Sequence, residues 1–183
     1  MNNSYLFIVI LMTAIGLLNI NYYKINAQEE IYENKNLGIK FTIPEKFEVS
    51  EESDLNKKII LSPKSMIESV YYQISIETFE NNNGETLEKW LKKHLKDNYN
   101  DKDKFRIDMG PTGEPTQSKI SNNQYNVYSF NLLDRESNNY NEVDFVSVND
   151  KIFRLSYSAP TDEGYIEYLN DYRNFKKSVE FLN

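Results

Sequence analysis

The sequence predicts an α+β fold in which a mainly antiparallel sheet of about six or seven strands is flanked by helices. Strand-like segments with alternating apolar residues come in two groups, and a helix-like segment follows each group. The last two strand-like segments are joined by Asn149-Asp150, a two-residue turn suited to a hairpin. Because hairpins connect neighbouring strands that run in opposite directions, this order favours antiparallel pairing.

The first group of predicted strands begins with an alternation that stops at a proline. In residues 37–43 apolar side chains alternate with other residues up to Pro44, which has no N–H and therefore ends the ladder or lies at an edge. The pattern resumes at Phe47, where we predict a short continuation. Residues 28–36 are interpreted as a polar lead-in. The remaining strands of this group are predicted at 57–61 and 70–79.

A turn and an amphipathic helix follow the first group of strands. The segment NNNGE at 81–85 is typical of a turn, and the Thr86 hydroxyl is suited to accept the first free N–H groups of a helix. The apolar residues that follow recur at helical spacing, so this helix is expected to lie on the sheet. They are Leu87, Trp90, Leu91 and Leu95.

The second group of strands is predicted at 105–109, 124–133, 141–148 and 151–158, with a breaker-rich segment at 110–117. Pro160 ends the group. A final helix is then expected to open at Thr161 or Asp162 and to run to Leu182. Its apolar stripe consists of Tyr165, Leu169, Tyr172, Val179 and Leu182.

The composition excludes two classes of function. The chain has 183 residues and a net charge of −7, and it shows no basic footprint of the kind that neutralises nucleic-acid phosphates. It contains no cysteine, so disulfides, thiol catalysis and cysteine-ligated metals are excluded. The same absence removes the acylated cysteine of a bacterial-type lipoprotein. A domain of this size can nevertheless bury a sufficient core without disulfides.

Residues 1–27 are predicted to be a signal peptide or an N-terminal membrane anchor. Residues 5–18 form an almost wholly apolar run of about 14 residues, which fits a signal peptide and is short of the roughly 20 that span a bilayer. Ala27 is suited to precede a cleavage point, whereas the absence of Lys or Arg before the run and the large Ile25 keep an uncleaved anchor at 4–23 open. Both hypotheses place residues 28–183, a single domain, outside the cytoplasm, with membrane contact only through the N-terminal segment.

Two stretches of the chain resemble the PsbP-like family. Gly38, Phe41, Pro44 and Phe47 are similar to the start of PsbP domains, although Phe47 stands where that family usually has Trp. The C-terminal segments FRLSYSAP and YLNDYRNFKKSVEFL resemble the family's last strand, its Ala-Pro break and its closing helix. The matching residues of the closing helix are Phe175, Ser178 and Phe181.

The resemblance implies an α/β/α sandwich and a task of binding or assembly. The family includes extrinsic proteins of photosystem II, and a Ran-binding nuclear import factor shares the fold; some members associate with calcium or manganese. The implied function is a non-catalytic extracytoplasmic domain that binds, or assists the assembly of, an unidentified protein or membrane complex. A secreted module for calcium, manganese or a small ligand is the alternative, and a hydrolase with an unrecognised site is a third hypothesis. Fold alone does not transfer function.

No segment predicts a catalytic or cofactor site. His94, the only histidine, is interpreted as a partly exposed helix residue, and no nucleophile-elbow motif accompanies it. The segment 110–113 has too few glycines, and no following Lys-Ser/Thr, for a phosphate loop. Calcium is the one cofactor left open, because hard oxygen ligands cluster near the helix end. They are Asp97, Asn100, Asp101 and Asp103.

Two further groups of side chains are kept as hypotheses. Glu136, Glu142 and Asp144 are candidates to gather near the second hairpin, although carboxylates on antiparallel strands usually face water. The numerous tyrosines would form a protein-binding patch if several shared one exposed face, and otherwise they belong to the core and the sheet cover. These tyrosines are Tyr71, Tyr72, Tyr125, Tyr128, Tyr140 and Tyr157.

Overall fold

The structure, a computed structural model, describes residues 29–53, 57–65, 72–121, 124–160 and 162–182. The predicted signal peptide or anchor at 1–27 therefore lies outside the described residues, and so does Tyr71. The chain from Ile31 to Asn183 groups into one compact unit. No helix in the described ranges combines the length and the apolar character that crossing a membrane requires.

The described chain contains two groups of strands, and each group is followed by helical structure, as the sequence predicts. The strands and helices, in chain order, are β1 (Ile31–Asn34), β2 (Ile39–Thr42), β3 (Phe47–Ser53), β4 (Lys58–Pro63), β5 (Gln73–Glu80), α1 (Leu87–Asn98), β6 (Phe105–Asp108), β7 (Thr116–Ile120), β8 (Tyr125–Asp134), β9 (Asn139–Val148), β10 (Lys151–Ala159), α2 (Asp162–Glu167), α3 (Leu169–Ser178) and β11 (Glu180–Phe181).

The strands form a large sheet and a small one among the described residues. The large sheet has eight strands in the order β3-β4-β5-β10-β9-β8-β6, and β7 pairs with β8 next to β6. The small sheet has the order β1-β2-β11. Every ladder is antiparallel. The predicted α+β class and the antiparallel sheet are therefore confirmed, and the hairpin turn between β9 and β10 has Asn149 at the expected positive φ of 55°.

The large sheet is covered on both faces, which gives the sandwich. One face packs against the small sheet and α3, and Val146 and Leu155 share that core with Phe41 and Phe175. The other face packs against α1, where Leu91 contacts a cluster that includes Phe145. Neighbouring side chains of β9 alternate between these two cores because the strand has a period of two.

At Pro44 the chain leaves the small sheet and enters the large one. The strand before Pro44, β2, belongs to the small sheet, whereas β3 after it is an edge of the large sheet. The backbone N–H of Phe47 donates to the Pro44 carbonyl at 2.8 Å, and the Phe47 ring is fully buried against the edge of Tyr168. Pro44 is suited to this position because it has no N–H to offer either ladder.

The predicted α1 helix is confirmed with its cap. The Thr86 hydroxyl accepts the backbone N–H of Lys89 at 3.4 Å, and Leu91 is buried. Two short strands, by contrast, were missed. Residues 31–34 form β1 and not a lead-in, and Thr116–Ile120 forms β7 directly after the breaker-rich segment. Both are edge strands with few buried residues, since two of the four residues of β1 and four of the five residues of β7 are exposed, so they lack the apolar alternation that identifies half-buried strands.

The single helix predicted up to Leu182 was wrong in its continuity and in its last four residues. The helical segment is interrupted at Tyr168 and ends at Ser178, after which Glu180–Phe181 pairs with β2. The Ser178 hydroxyl accepts the Thr42 N–H at 3.0 Å and donates to the Phe175 carbonyl at 2.8 Å. A serine that bonds locally competes with the helix ladder, and here it also ties the helix end to β2.

Candidate functional site

His94 lies on α1 and packs in an aromatic cluster between this helix and the large sheet. Its ring stacks on Trp90 with centroids 4.6 Å apart and is flanked by Phe79, Tyr99 and Phe145. Its Nε2 is buried and has no hydrogen-bond partner within the described part of the chain. Burial, and then the positive charge of Arg154, lowers the His94 pKa to about 4. The ring is therefore a neutral packing element at pH 7.

We expect the His94→Gln variant to lose part of the acid sensitivity of the wild type. The folded pKa of about 4 lies below the unfolded value near 6.5, so the unfolded chain binds more protons between these values. Wild-type stability relative to the variant should fall by about 1–2 kcal/mol from pH 6.5 to 4 and level off below, after allowance for partial exposure. Urea unfolding of both proteins across this range measures the difference, and parallel curves would contradict it.

In the acidic segment 97–103, the Asp101 side chain forms hydrogen bonds within its own loop. The Asp101 carboxylate accepts the backbone N–H groups of Asp103 and Lys104 at 3.0 and 3.1 Å, which closes a turn. Among the residues that the structure describes, no group of three or more His, Asp or Glu side chains is arranged to hold a metal ion. The calcium hypothesis stays a prediction, and the geometry gives it no ligand set.

The tyrosines that were considered as a conditional protein-binding patch are dispersed in the structure. Tyr157 is fully buried in the core under α3, and Tyr72 packs edge-on against Tyr168. Tyr125 contacts Phe181, and Tyr128 lies on the opposite face of the sheet with α1. The described tyrosines therefore do not share one exposed face, and most of them serve as core and sheet cover.

Two of the three carboxylates proposed to gather at the hairpin do meet. Lys176 on α3 bridges Glu142 and Asp144 of β9, with its Nζ 2.6 Å from Glu142 and 2.8 Å from Asp144. Glu136 lies apart and pairs with Lys104. The Asp144 side chain is 1% exposed, so its charge is fully inside the protein. This group, with Tyr172, Tyr165 and Ser129, is the buried charge cluster.

Hydrogen bonds satisfy the carboxylates of the buried charge cluster. The Tyr172 hydroxyl donates to Asp144 at 2.6 Å, and the Ser129 hydroxyl also donates to Asp144. The Tyr165 hydroxyl donates to Glu142 at 3.1 Å. A buried charge is tolerated only when it is paired and hydrogen-bonded in this way.

Burial and nearby charges determine the protonation states of two α3 side chains, Lys176 and Tyr172. Burial by itself would lower the Lys176 pKa, but the charges of Asp144 and Glu142 outweigh it and raise that pKa. Burial, and then the Asp144 charge, raises the Tyr172 pKa well above its usual value. At neutral pH Lys176 is therefore a cation and Tyr172 a neutral donor. The ion pairs of Lys176 and the hydrogen bond of Tyr172 therefore hold α3 against β9 of the large sheet.

A cleft opens beside the buried charge cluster, between α3 and β7. It encloses about 400 Å³ and has Asp144 at its floor. Arg173, Lys176 and Lys177 of α3 line one side, and residues 118–121 with Val127 line the other. We call this space the cationic cleft.

The outer cations of the cleft are available for binding. Arg173 and Lys177 are exposed and stand one helical turn apart. No described carboxylate forms an ion pair with either of them, in contrast to Lys176 between its two partners. A concentrated positive edge is thus kept on a protein whose net charge is −7. The arrangement is suited to hold an anionic group in front of α3.

Sequence reasoning missed the cationic cleft. The signal was present in the segment RNFKKS, where cations at i, i+3 and i+4 must share one flank of a helix. These cations line a cleft only because β7 forms its opposite wall, and the sequence pattern did not predict β7. The segment 110–113 only forms a turn, in which the Gly113 N–H donates to the Gly110 carbonyl at 3.2 Å.

Comparison with known proteins identifies the fold. No protein-family model matches the sequence, and no curated protein sequence matches significantly. The solution structure of cyanobacterial PsbP (CyanoP) from Synechocystis sp. PCC 6803 is similar, with a TM-score of 0.57 and 10% identity over 85% of this chain and 93% of that chain.

Two further solved structures are similar over most of this chain. A crystal structure from Bacteroides thetaiotaomicron VPI-5482 has a TM-score of 0.54 and 11% identity, over 85% of this chain and 49% of that chain. The protein of unknown function PA94 from Pseudomonas aeruginosa has a TM-score of 0.53 and 8% identity, over 80% of this chain and 92% of that chain. Identities this low show a shared fold and nothing finer. The chain described here has the PsbP-like fold.

Proposed function

We propose that this chain is a non-catalytic, extracytoplasmic PsbP-like domain that binds another protein or complex, and that the cationic cleft is its recognition surface. The observation that carries the proposal is the pair of exposed cations, Arg173 and Lys177, that lie on a helix fixed by the buried charge cluster and have no described ion-pair partner. The resemblance of residues 1–27 to a signal peptide or an anchor supports the extracytoplasmic location.

The expected mechanism is electrostatic recognition without covalent chemistry. An acidic segment of the partner would be attracted by Arg173 and Lys177 and would displace water from the cleft. Complementary charge mainly raises the association rate and the specificity, so binding should weaken as the salt concentration rises. Because the Lys176 bridge already fixes α3, the helix backbone loses little conformational entropy on binding, and the entropy cost comes mainly from the exposed side chains of the two cations.

A small anionic ligand is the second candidate for the same cleft. The volume of about 400 Å³ falls within the range of small-molecule sites. The cleft is nevertheless open to solvent, and most residues of its β7 wall are exposed. A site that is open to solvent and carries exposed cations fits an acidic side chain of a larger partner better than an enclosed metabolite.

The test is a comparative capture with full-length protein carrying a C-terminal tag. Wild type and the Arg173→Glu/Lys177→Glu variant are cross-linked to native membrane and extracytoplasmic fractions, and bound proteins are quantified by mass spectrometry. We expect a saturable partner whose recovery falls about tenfold or more in the variant, which corresponds to the loss of about 1.4 kcal/mol of binding free energy.

The matched control is the Lys93→Glu/Lys96→Glu variant on α1. Both lysines are exposed and the change in net charge is the same, but α1 lies on the other face of the large sheet. Equal loss of the partner in both variants would show a general charge effect and overturn the assignment to the cleft. The absence of any saturable partner, together with a thermal shift by citrate or phosphate that depends on Arg173, would support the small-ligand candidate.

A further inference from the structure

The strand β7 presents an open edge next to the cationic cleft. It pairs with β8 along residues 116–120, and no other described strand pairs with it. In an antiparallel ladder, alternate residues direct their N–H and C=O groups away from the partner strand. Four of the five β7 residues are exposed, so these outward groups face solvent.

The opposite end of the large sheet is more strongly protected than β7. The edge strand β3 carries an irregularity between Val49 and Glu51, and the acidic side chains of Glu48, Glu51 and Glu52 lie along it. Bulges and charges of this kind are the usual protection against the pairing of another strand. The segment TQSKI of β7 has an uninterrupted register with β8 and one charge, Lys119.

The register of β7 fixes which of its side chains lie on the α3 face of the sheet. Ser118 is opposite Val127 and Thr116 is opposite Ser129, and both of these β8 residues belong to the α3 face. A strand added outside β7 would continue the same pleat, so every second side chain would lie on that face. Those side chains would then lie on the same face of the sheet as Arg173 and Lys177, with β7 between the added strand and these cations.

We propose that β7 accepts an extended acidic segment of the partner protein as an added strand, with Asp or Glu at alternate positions facing Arg173 and Lys177. Backbone hydrogen bonds to β7 would supply sequence-independent affinity, and the cations would select the acidic side chains. The inference rests on the proposed function, because it names the form that the acidic partner takes at the same cleft. A second copy that paired through its own β7 would bring Lys119 and the cleft cations of both copies close together, so like-charge repulsion favours a partner segment over a second copy.

The experiment selects displayed random peptides of roughly ten residues on the full-length protein and then dissects the enriched sequences. We expect enriched peptides with acidic residues at every second position. Two N-methylated versions of the best peptide are compared. The first is methylated on the alternate residues whose backbone N–H groups would point towards β7, and the second is methylated on the residues whose N–H groups would point away. The first should bind about tenfold or more weakly, and the second should bind nearly as the parent does.

Each result either supports strand addition or overturns it. Protection of β7 amides from hydrogen exchange on peptide binding, together with the alternating effect of N-methylation, would support it. Peptides that need Arg173 and Lys177 but tolerate both methylation patterns would overturn strand addition and leave the cleft as an acidic-group site. Peptides that ignore the Arg173→Glu/Lys177→Glu variant would overturn the proposed function as well. Failure to enrich any peptide, or self-association of the chain through β7, would also overturn the inference.

Discussion

Replacement of Lys176 by methionine is expected to lower the free energy of unfolding by about 3–5 kcal/mol. The methylene stem is preserved by methionine, but the change removes the only described cation bonded to Asp144, whose side chain is 1% exposed. An uncompensated buried carboxylate pays its full desolvation cost, because the Tyr172 and Ser129 hydroxyls alone cannot neutralise it. Urea denaturation at neutral pH measures the loss.

A double-mutant cycle separates the charge effect from packing. The Lys176→Met/Asp144→Asn protein should recover part of the loss, since the buried partner is then neutral. Lys177→Met is the matched control, because Lys177 is the exposed neighbour on the same helix and should change stability by no more than about 0.5 kcal/mol. A loss below about 1 kcal/mol in Lys176→Met would show that the cluster does not hold α3 on the sheet.

Replacement of Phe47 by alanine is expected to cost a similar amount, about 3–5 kcal/mol. The ring is 0% exposed and fills the space where the chain passes from the small sheet to the large one. Its contact with the edge of Tyr168 also fixes the residue that separates α2 from α3. Alanine would leave a cavity between these elements, and the closely packed core can relax only partly to fill it.

Two controls test whether the Phe47 effect arises from packing. Phe47→Leu keeps most of the buried volume and should cost about 1 kcal/mol, whereas Glu45→Ala alters an exposed neighbour and should be nearly neutral. The midpoint and slope of denaturant unfolding are compared for the three variants. Equal losses for alanine and leucine would indicate that the aromatic contact with Tyr168, and not the filled volume, determines the effect.

Local patterns in the sequence determined most of the large sheet. The alternation in 141–148 and 151–158 and the turn at Asn149 predicted the central hairpin, and Thr86 predicted the start of α1. Pro44 predicted a strand that halts, and Phe47 predicted the continuation that forms β3. Each of these features depends on residues within a few positions of one another, so one-dimensional spacing was sufficient.

The tertiary structure decided the candidate site. In the sequence Asp144 is a carboxylate on an antiparallel strand, which would normally face water. It is buried because α3 covers that face and delivers Lys176 from 32 positions away along the chain. The strands β1, β7 and β11 likewise have no pattern of their own, since their pairing partners, and not burial of their own side chains, make them strands. The cationic cleft exists only where two such long-range arrangements meet, and local periodicity carries no information about contacts of that range.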